Sequence, residues 1–264
     1  MADWAGFLVN LPLLQEYGWR LIAGQQVTAE VVAISCTLGF LLAIPLGRAR
    51  LSRNPLLSGP ALCYVTVMRG TPLLCQLYLV YYGAGELRPT MQALGLWPFF
   101  RDAFFCCIFA FTLNTAAYQA EIFRGAIASV PRGQTEAAAA LGLSPRQVAR
   151  RIIYPQAFLV ALRPLGNELI SIIKASALAA IVTLLDLMGQ TRLIFSRTFD
   201  FSVYLYAALI YLLMTEAIRR LWLVIERRAS VHLRIAPDAK PRSAGQASRI
   251  GTAASQIAHG ARAT

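Results

Sequence analysis

The sequence predicts an all-α integral membrane protein of about five transmembrane helices, with a cytoplasmic helical hairpin between the third and the fourth. Three observations carry that prediction. Of the 264 residues, 57% are hydrophobic and only 14% are charged, whereas a soluble domain carries nearer a quarter charged residues. Five apolar stretches are long enough to cross a bilayer, which takes about 20 residues each. The basic residues between them are dense in alternate links, as the positive-inside rule requires of a multi-pass chain.

In chain order, the first twenty residues, MADWAGFLVNLPLLQEYGWR, lack a basic start and an A-x-A-like site after a clean apolar run. They read as an external N-terminal segment, 1–19, and not as a cleaved signal peptide. The membrane domain is expected over 20–235, with apolar stretches at 22–46, 56–82, 103–127, 155–185 and 203–225. The second contains MRGTPLLCQ. Arg69 at the bilayer centre would cost about 3 kcal/mol, and Gly70 and Pro72 loosen a helix. A break near the cytoplasmic interface is therefore expected, with 56–68 lying partly in that interface and Arg69 anchoring it. The tail, 236–264, is rich in Ala, Ser, Gly and Pro and reads as disordered.

The net charge of +12 reflects topology and not a nucleic-acid surface. Arg48, Arg50 and Arg53 follow the first stretch. Arg124, Arg132, Arg146, Arg150 and Arg151 follow the third, and Arg219, Arg220, Arg227 and Arg228 open the tail. The other two links mix signs, with Glu86, Arg88, Arg101 and Asp102 in one and Asp186, Arg192, Arg197 and Asp200 in the other. This places the N-terminus outside and the C-terminus in the cytoplasm. Cys36, Cys63, Cys75, Cys106 and Cys107 lie in apolar sequence without metal-ligand spacing, so they read as packing residues.

Between the third and fourth stretches lies EAAAALGLSPRQVARRIIYP, from Glu136 to Pro155. Strong helix formers run from Gln134 to Leu141, and Gly142 stands where a C-terminal cap wants a left-handed residue. Ser144 is placed to cap a second helix that has Pro145 in its first position. A helical hairpin over 131–155 follows. Its arginines could meet an acidic partner or anionic lipid.

Polar residues inside the stretches fall on faces. Asn114, Tyr118 and Glu121 are spaced i, i+4, i+7, and Arg163, Asn167, Ser171 and Lys174 share another face with Glu168 beside it. Ionisable groups are costly in lipid, so both faces are expected to turn to the bundle interior. Asn114, Tyr118, Asn167, Glu168, Ser171 and Lys174 are thus candidate pore-lining residues. Glu168 is either a counter-charge for a passing cation or the partner of a basic neighbour such as Lys174 or of a residue across a dimer.

EAAAALG followed by Ile152, Ile153, Tyr154 and Pro155 resembles the EAA signature of binding-protein-dependent ABC importer permeases, departing at Tyr154, where leucine is usual. RGTPLLCQLYLVYYG, LNTAAYQAEIFRGAIASVPRGQ and PLGNELISIIKASALAAIVTLLDLMG resemble the polar amino acid subfamily, over about 18–234. LWPFFRDAFFCC and ASALAAIVTLLDLMGQTR look closest to its histidine, arginine and opine permeases. The resemblance implies a MetI-like permease fold in the bacterial inner membrane. It also implies a hairpin whose Glu136, Ala137, Ala138 and Gly142 contact a cytoplasmic ABC ATPase dimer.

Further partners it implies are a second permease subunit, identical or not, and a periplasmic solute-binding protein. No G-x-x-x-x-G-K-[ST] loop occurs in the chain, so no cofactor is expected here and ATP with magnesium belongs to the separate ATPase. Two other classes compete. An ion-coupled secondary transporter would recruit Glu168 and Lys174, but such chains hold internal repeats and none is visible. A membrane enzyme needs a nucleophile, base and orienting group, which the stretches do not supply.

Overall fold

The computed structural model describes residues 11–230, and every regular element among them is a helix. The tail expected over 236–264 and the first ten residues of the expected external segment lie outside the described residues. Helix α1 (Leu11–Arg50) has 40 residues and is about 60 Å long at 1.5 Å per residue. The stretch expected at 22–46 is its middle. Asn54 caps α2 (Pro55–Gly70), its side chain accepting from the Leu56 N–H at 3.0 Å. Thr71 is then extended, as a residue before proline prefers, and α3 (Leu73–Glu86) resumes at once.

Two short helices, α4 (Arg88–Ala93) and α5 (Trp97–Phe100), lead to α6 (Ala103–Ala128), which Asp102 caps through the Phe104 N–H at 2.9 Å. The hairpin consists of α7 (Arg132–Ala140) and α8 (Pro145–Val148). A π-turn over Ala149–Ile153 joins α8 to α9 (Tyr154–Ala175), and a 3-10 segment, Ser176–Val182, extends α9. Then come α10 (Leu187–Thr198) and α11 (Ser202–Ser230). One compact unit runs through Glu226, and the last turn of α11 belongs to the segment beyond it.

About five transmembrane helices are expected, and the described residues hold fewer runs that could each cross a membrane alone by length and composition. Among the described residues three helical runs are both long and apolar enough to cross a membrane: Pro12–Arg50, Ala103–Ala128 and Pro145–Val182. The second expected stretch fails because Thr71 and Pro72 divide it into helices of 16 and 14 residues. The fifth lies in α11, whose second half carries Glu216, Arg219, Arg220 and Glu226. The fourth is longer than expected, since it includes the second arm of the hairpin.

The helices pack around α6, most extensively against α1. Gly39 makes this seam close: a Cβ there would collide with Thr115 Cγ2 and lie 3.3 Å from the Ala116 nitrogen. Val31, Leu77, Phe111, Ile173 and Val182 bring α1, α3, α6, α9 and the 3-10 segment into one buried cluster. A second cluster, with Leu21, Leu187, Ile194 and Val203, ties α10 and α11 to α1. Trp222 of α11 fills the space that Gly166 leaves on α9 and donates its indole N–H to the Leu162 carbonyl at 2.8 Å.

Candidate functional site

The hairpin is built from local bonds. At the end of α7 the Gly142 backbone has φ +78°. Its N–H donates to the Ala139 carbonyl at 2.9 Å, and the Leu143 N–H donates to Ala138 at 3.2 Å. These are the paired bonds of a Schellman cap, which satisfies carbonyls that a helix end leaves free. Ser144 then caps α8. The Gln147 N–H donates to its hydroxyl at 3.4 Å, and the Ser144 N–H donates to Gln147 Oε1 at 2.8 Å, a capping box. Glu136, Ala137 and Gly142 are exposed, whereas Ala138 is buried. The first three form an outward surface and Ala138 faces inward.

Pro155 does not end the second arm. A proline ring inside a regular helix clashes with the carbonyl four residues earlier. The π-turn immediately before it, closed by the Tyr154 N–H on the Ala149 carbonyl, widens the helix where that strain would fall. One helical run therefore connects Pro145 in the hairpin to Val182.

Asn114 is buried and serves the break between α2 and α3. Its Nδ2 donates to Gln76 Oε1 at 3.0 Å and to the Met68 carbonyl at 3.2 Å. Gln76 Nε2 donates to Met68 O at 2.9 Å and to Thr71 Oγ1 at 2.8 Å. Two amides thus satisfy groups that the interrupted helix cannot. One turn along α6, the Arg69 guanidinium lies 5.2 Å from the centre of the Tyr118 ring, a cation–π distance. A further turn on, Glu121 pairs with Arg124 at 2.6 Å and with Arg50 of α1 at 3.6 Å.

The face of α9 departs from expectation. Asn167, Ser171 and Lys174 are exposed on this chain and do not point into its bundle. Glu168 is half-buried and accepts from Thr115 Oγ1 at 3.2 Å. The ion pairs among the described residues do not include Glu168 with Lys174, while Arg163 pairs with Glu226 at 3.3 Å. Residues 168 and 174 are six apart, about 240° around a helix, so their side chains diverge.

Sequence reasoning missed three contributions, those of Gln76, of the Thr115–Gln119 pair and of Asp186. Gln76 follows the quoted proline by four residues, and Thr115 and Gln119 are an i, i+4 pair linked at 3.1 Å; both patterns were readable. The third, Asp186, is buried and accepts from the Gly189 N–H at 2.8 Å, capping α10. Burial pushes its carboxyl up to about 6, against the backbone bonds that lower it. Nearby, the Leu187 N–H donates to Thr28 Oγ1 at 3.1 Å, so α10 is pinned to α1.

Residues 36–231 match the family described as binding-protein-dependent transport system inner membrane component. The chain is 40% identical over 227 residues to the nopaline transport system permease protein NocM of Agrobacterium fabrum, covering 86% of this chain and 94% of that protein. A crystal structure of an amino acid ABC transporter with histidines superposes with a TM-score of 0.74 at 33% identity, over 83% of this chain and 99% of that one. An inward-facing MetNI methionine ABC transporter superposes with a TM-score of 0.66 at 20% identity, over 80% and 96%, a likeness of fold alone. The chain belongs to the binding-protein-dependent transport system inner membrane components, and within them to the ABC-importer permeases of the polar and basic amino-acid and opine subfamily.

Proposed function

We propose that the chain forms one half of a translocation pore for basic amino acids or opines, delivered by a periplasmic binding protein and driven by a separate ATPase dimer. The observation that carries this reading is the helical run from Pro145 to Val182. It starts in the hairpin and ends beyond the exposed polar face of Asn167, Ser171 and Lys174. Force applied at Glu136, Ala137 and Gly142 is thereby passed to that face. The face turns to the second permease subunit, identical or not, across the pore.

On this reading the chain crosses the membrane five times, with α2 and α3 together making one crossing and α11 the last. The N-terminus is periplasmic and the C-terminal tail, from 236, cytoplasmic. ATP closes the ATPase dimer, draws the two hairpins together and opens the pore outward, and hydrolysis resets it. Glu168, held by Thr115 at 3.2 Å and unpaired with Lys174, supplies negative charge toward an ammonium or guanidinium. The substrate class is supported by the nopaline permease and by the histidine-bearing transporter among the similar proteins.

The test is uptake and ATP hydrolysis in proteoliposomes holding the whole importer. Gly142→Val strains the left-handed turn by about 1–2 kcal/mol. It should abolish coupled uptake while leaving membrane insertion and basal hydrolysis in place. Glu168→Gln should keep coupling but lose the preference for cationic over neutral substrates. Normal uptake by the valine variant would refute the coupling role, and an unchanged preference would remove Glu168 from the substrate path.

A further inference from the structure

Between α1, α6 and α9 lies a groove of about 260 Å³, with walls that include Phe40, Ile44, Phe123, Ile127 and Phe158. All three helices belong to runs apolar enough to cross the bilayer. Gly47 forms part of its floor: α1 comes so near α6 there that a Cβ would lie 3.3 Å from the Ala120 carbonyl oxygen. Phe40 and Phe123 close one side, edge to face with centroids 5.4 Å apart.

One end of this apolar groove is polar. Arg48, in the last turn of α1, and Tyr154, where the π-turn enters α9, both line it and both are exposed. The neighbouring Arg50 is neutralised by Glu121, which also takes Arg124. Arg48 takes part in none of the ion pairs among the described residues. Among those residues no carboxylate lines the groove, so an ammonium headgroup would find no partner there.

We infer that this groove binds one anionic phospholipid, its acyl chain along the aromatic walls and its phosphate between the Arg48 guanidinium and the Tyr154 hydroxyl. The juxtaposition is that of a lipid: an apolar slot of membrane-spanning helices ending in a cation at the helix terminus, the depth at which arginine reaches headgroups. A helix of a sister subunit fits less well. It would have to bury Arg48 among apolar side chains or bring a carboxylate of its own. The inference rests on the membrane reading of the chain but not on its coupling or substrate.

The experiment reconstitutes the full chain in phosphatidylcholine nanodiscs containing a minority of phosphatidylglycerol and counts retained lipid by native mass spectrometry. The chain should retain one phosphatidylglycerol. Arg48→Gln should retain it roughly fivefold more weakly, the share of one basic residue at a membrane surface. Ile44→Trp, which fills the slot from an exposed position, should lose it with thermal unfolding unchanged. Equal retention by the chain and Arg48→Gln would overturn the proposal. So would a disulfide between two copies of Phe158→Cys formed in the membrane, because it would put a sister subunit in the groove.

Discussion

The molecule interrupts its helices in two places by opposite means. At the hairpin, residues 138–147 close the turn among themselves through the Gly142 cap and the Ser144 capping box. At the break between α2 and α3, Thr71 and Pro72 stop the helix, but Gln76 and the distant Asn114 of α6 satisfy the groups left over. The first interruption carries its own support and can move as a body. The second is only as stable as the bundle around it, so displacement of α6 is felt at the break directly.

That difference can be broken from its bundle side first. Gly39→Leu forces a side chain into Thr115 and the α6 backbone, an overpacking that should cost about 3 kcal/mol. It should lower the unfolding temperature in detergent and speed hydrogen exchange near residues 68–76, with the hairpin's exchange unchanged. Equal loosening of both regions would show that the hairpin depends on the bundle after all.

A narrower test removes only the long-range support. Asn114→Leu leaves the Gln76 carbonyl oxygen and the Met68 carbonyl each without one donor, at a cost of about 2 kcal/mol. Coupling of about 1 kcal/mol or more with Gln76→Leu in a double-mutant cycle is expected for residues sharing one network. Additive effects would mean that the two amides act separately.

The smallest effect sharpens the comparison from the hairpin side. Ser144→Ala deletes one cap acceptor and should cost about 1 kcal/mol, confined to faster exchange at 144–148. A fall in the stability of the whole bundle would contradict the local character claimed for this turn.

The same distinction governs what could be read in advance. Gly142, Ser144 and Pro145 reveal the hairpin because each acts on bonds within a few residues. The break was legible at Gly70 and Pro72, but its support was not, since Asn114 lies 38 residues from Gln76. Spacing put Asn114, Tyr118 and Glu121 on one face, and the structure engages them separately, in an amide–amide hydrogen bond, a cation–π contact and an ion pair. For α9 the period groups Asn167, Ser171 and Lys174, and only the structure shows that face exposed on this chain, because a periodic face tells that it is special and not what it meets.

Composition, periodicity and caps therefore determined the membrane class, the hairpin with its turn, and the helix break. All of these depend on hydropathy summed over a window or on bonds between near neighbours. The tertiary structure alone decided that Pro155 is absorbed by a π-turn into one helical run, that Glu168 rests on Thr115 and not beside Lys174, and that Gly39 lets α1 lie close on α6. Those outcomes depend on which distant surfaces the bundle brings into contact, and on the space left once they meet.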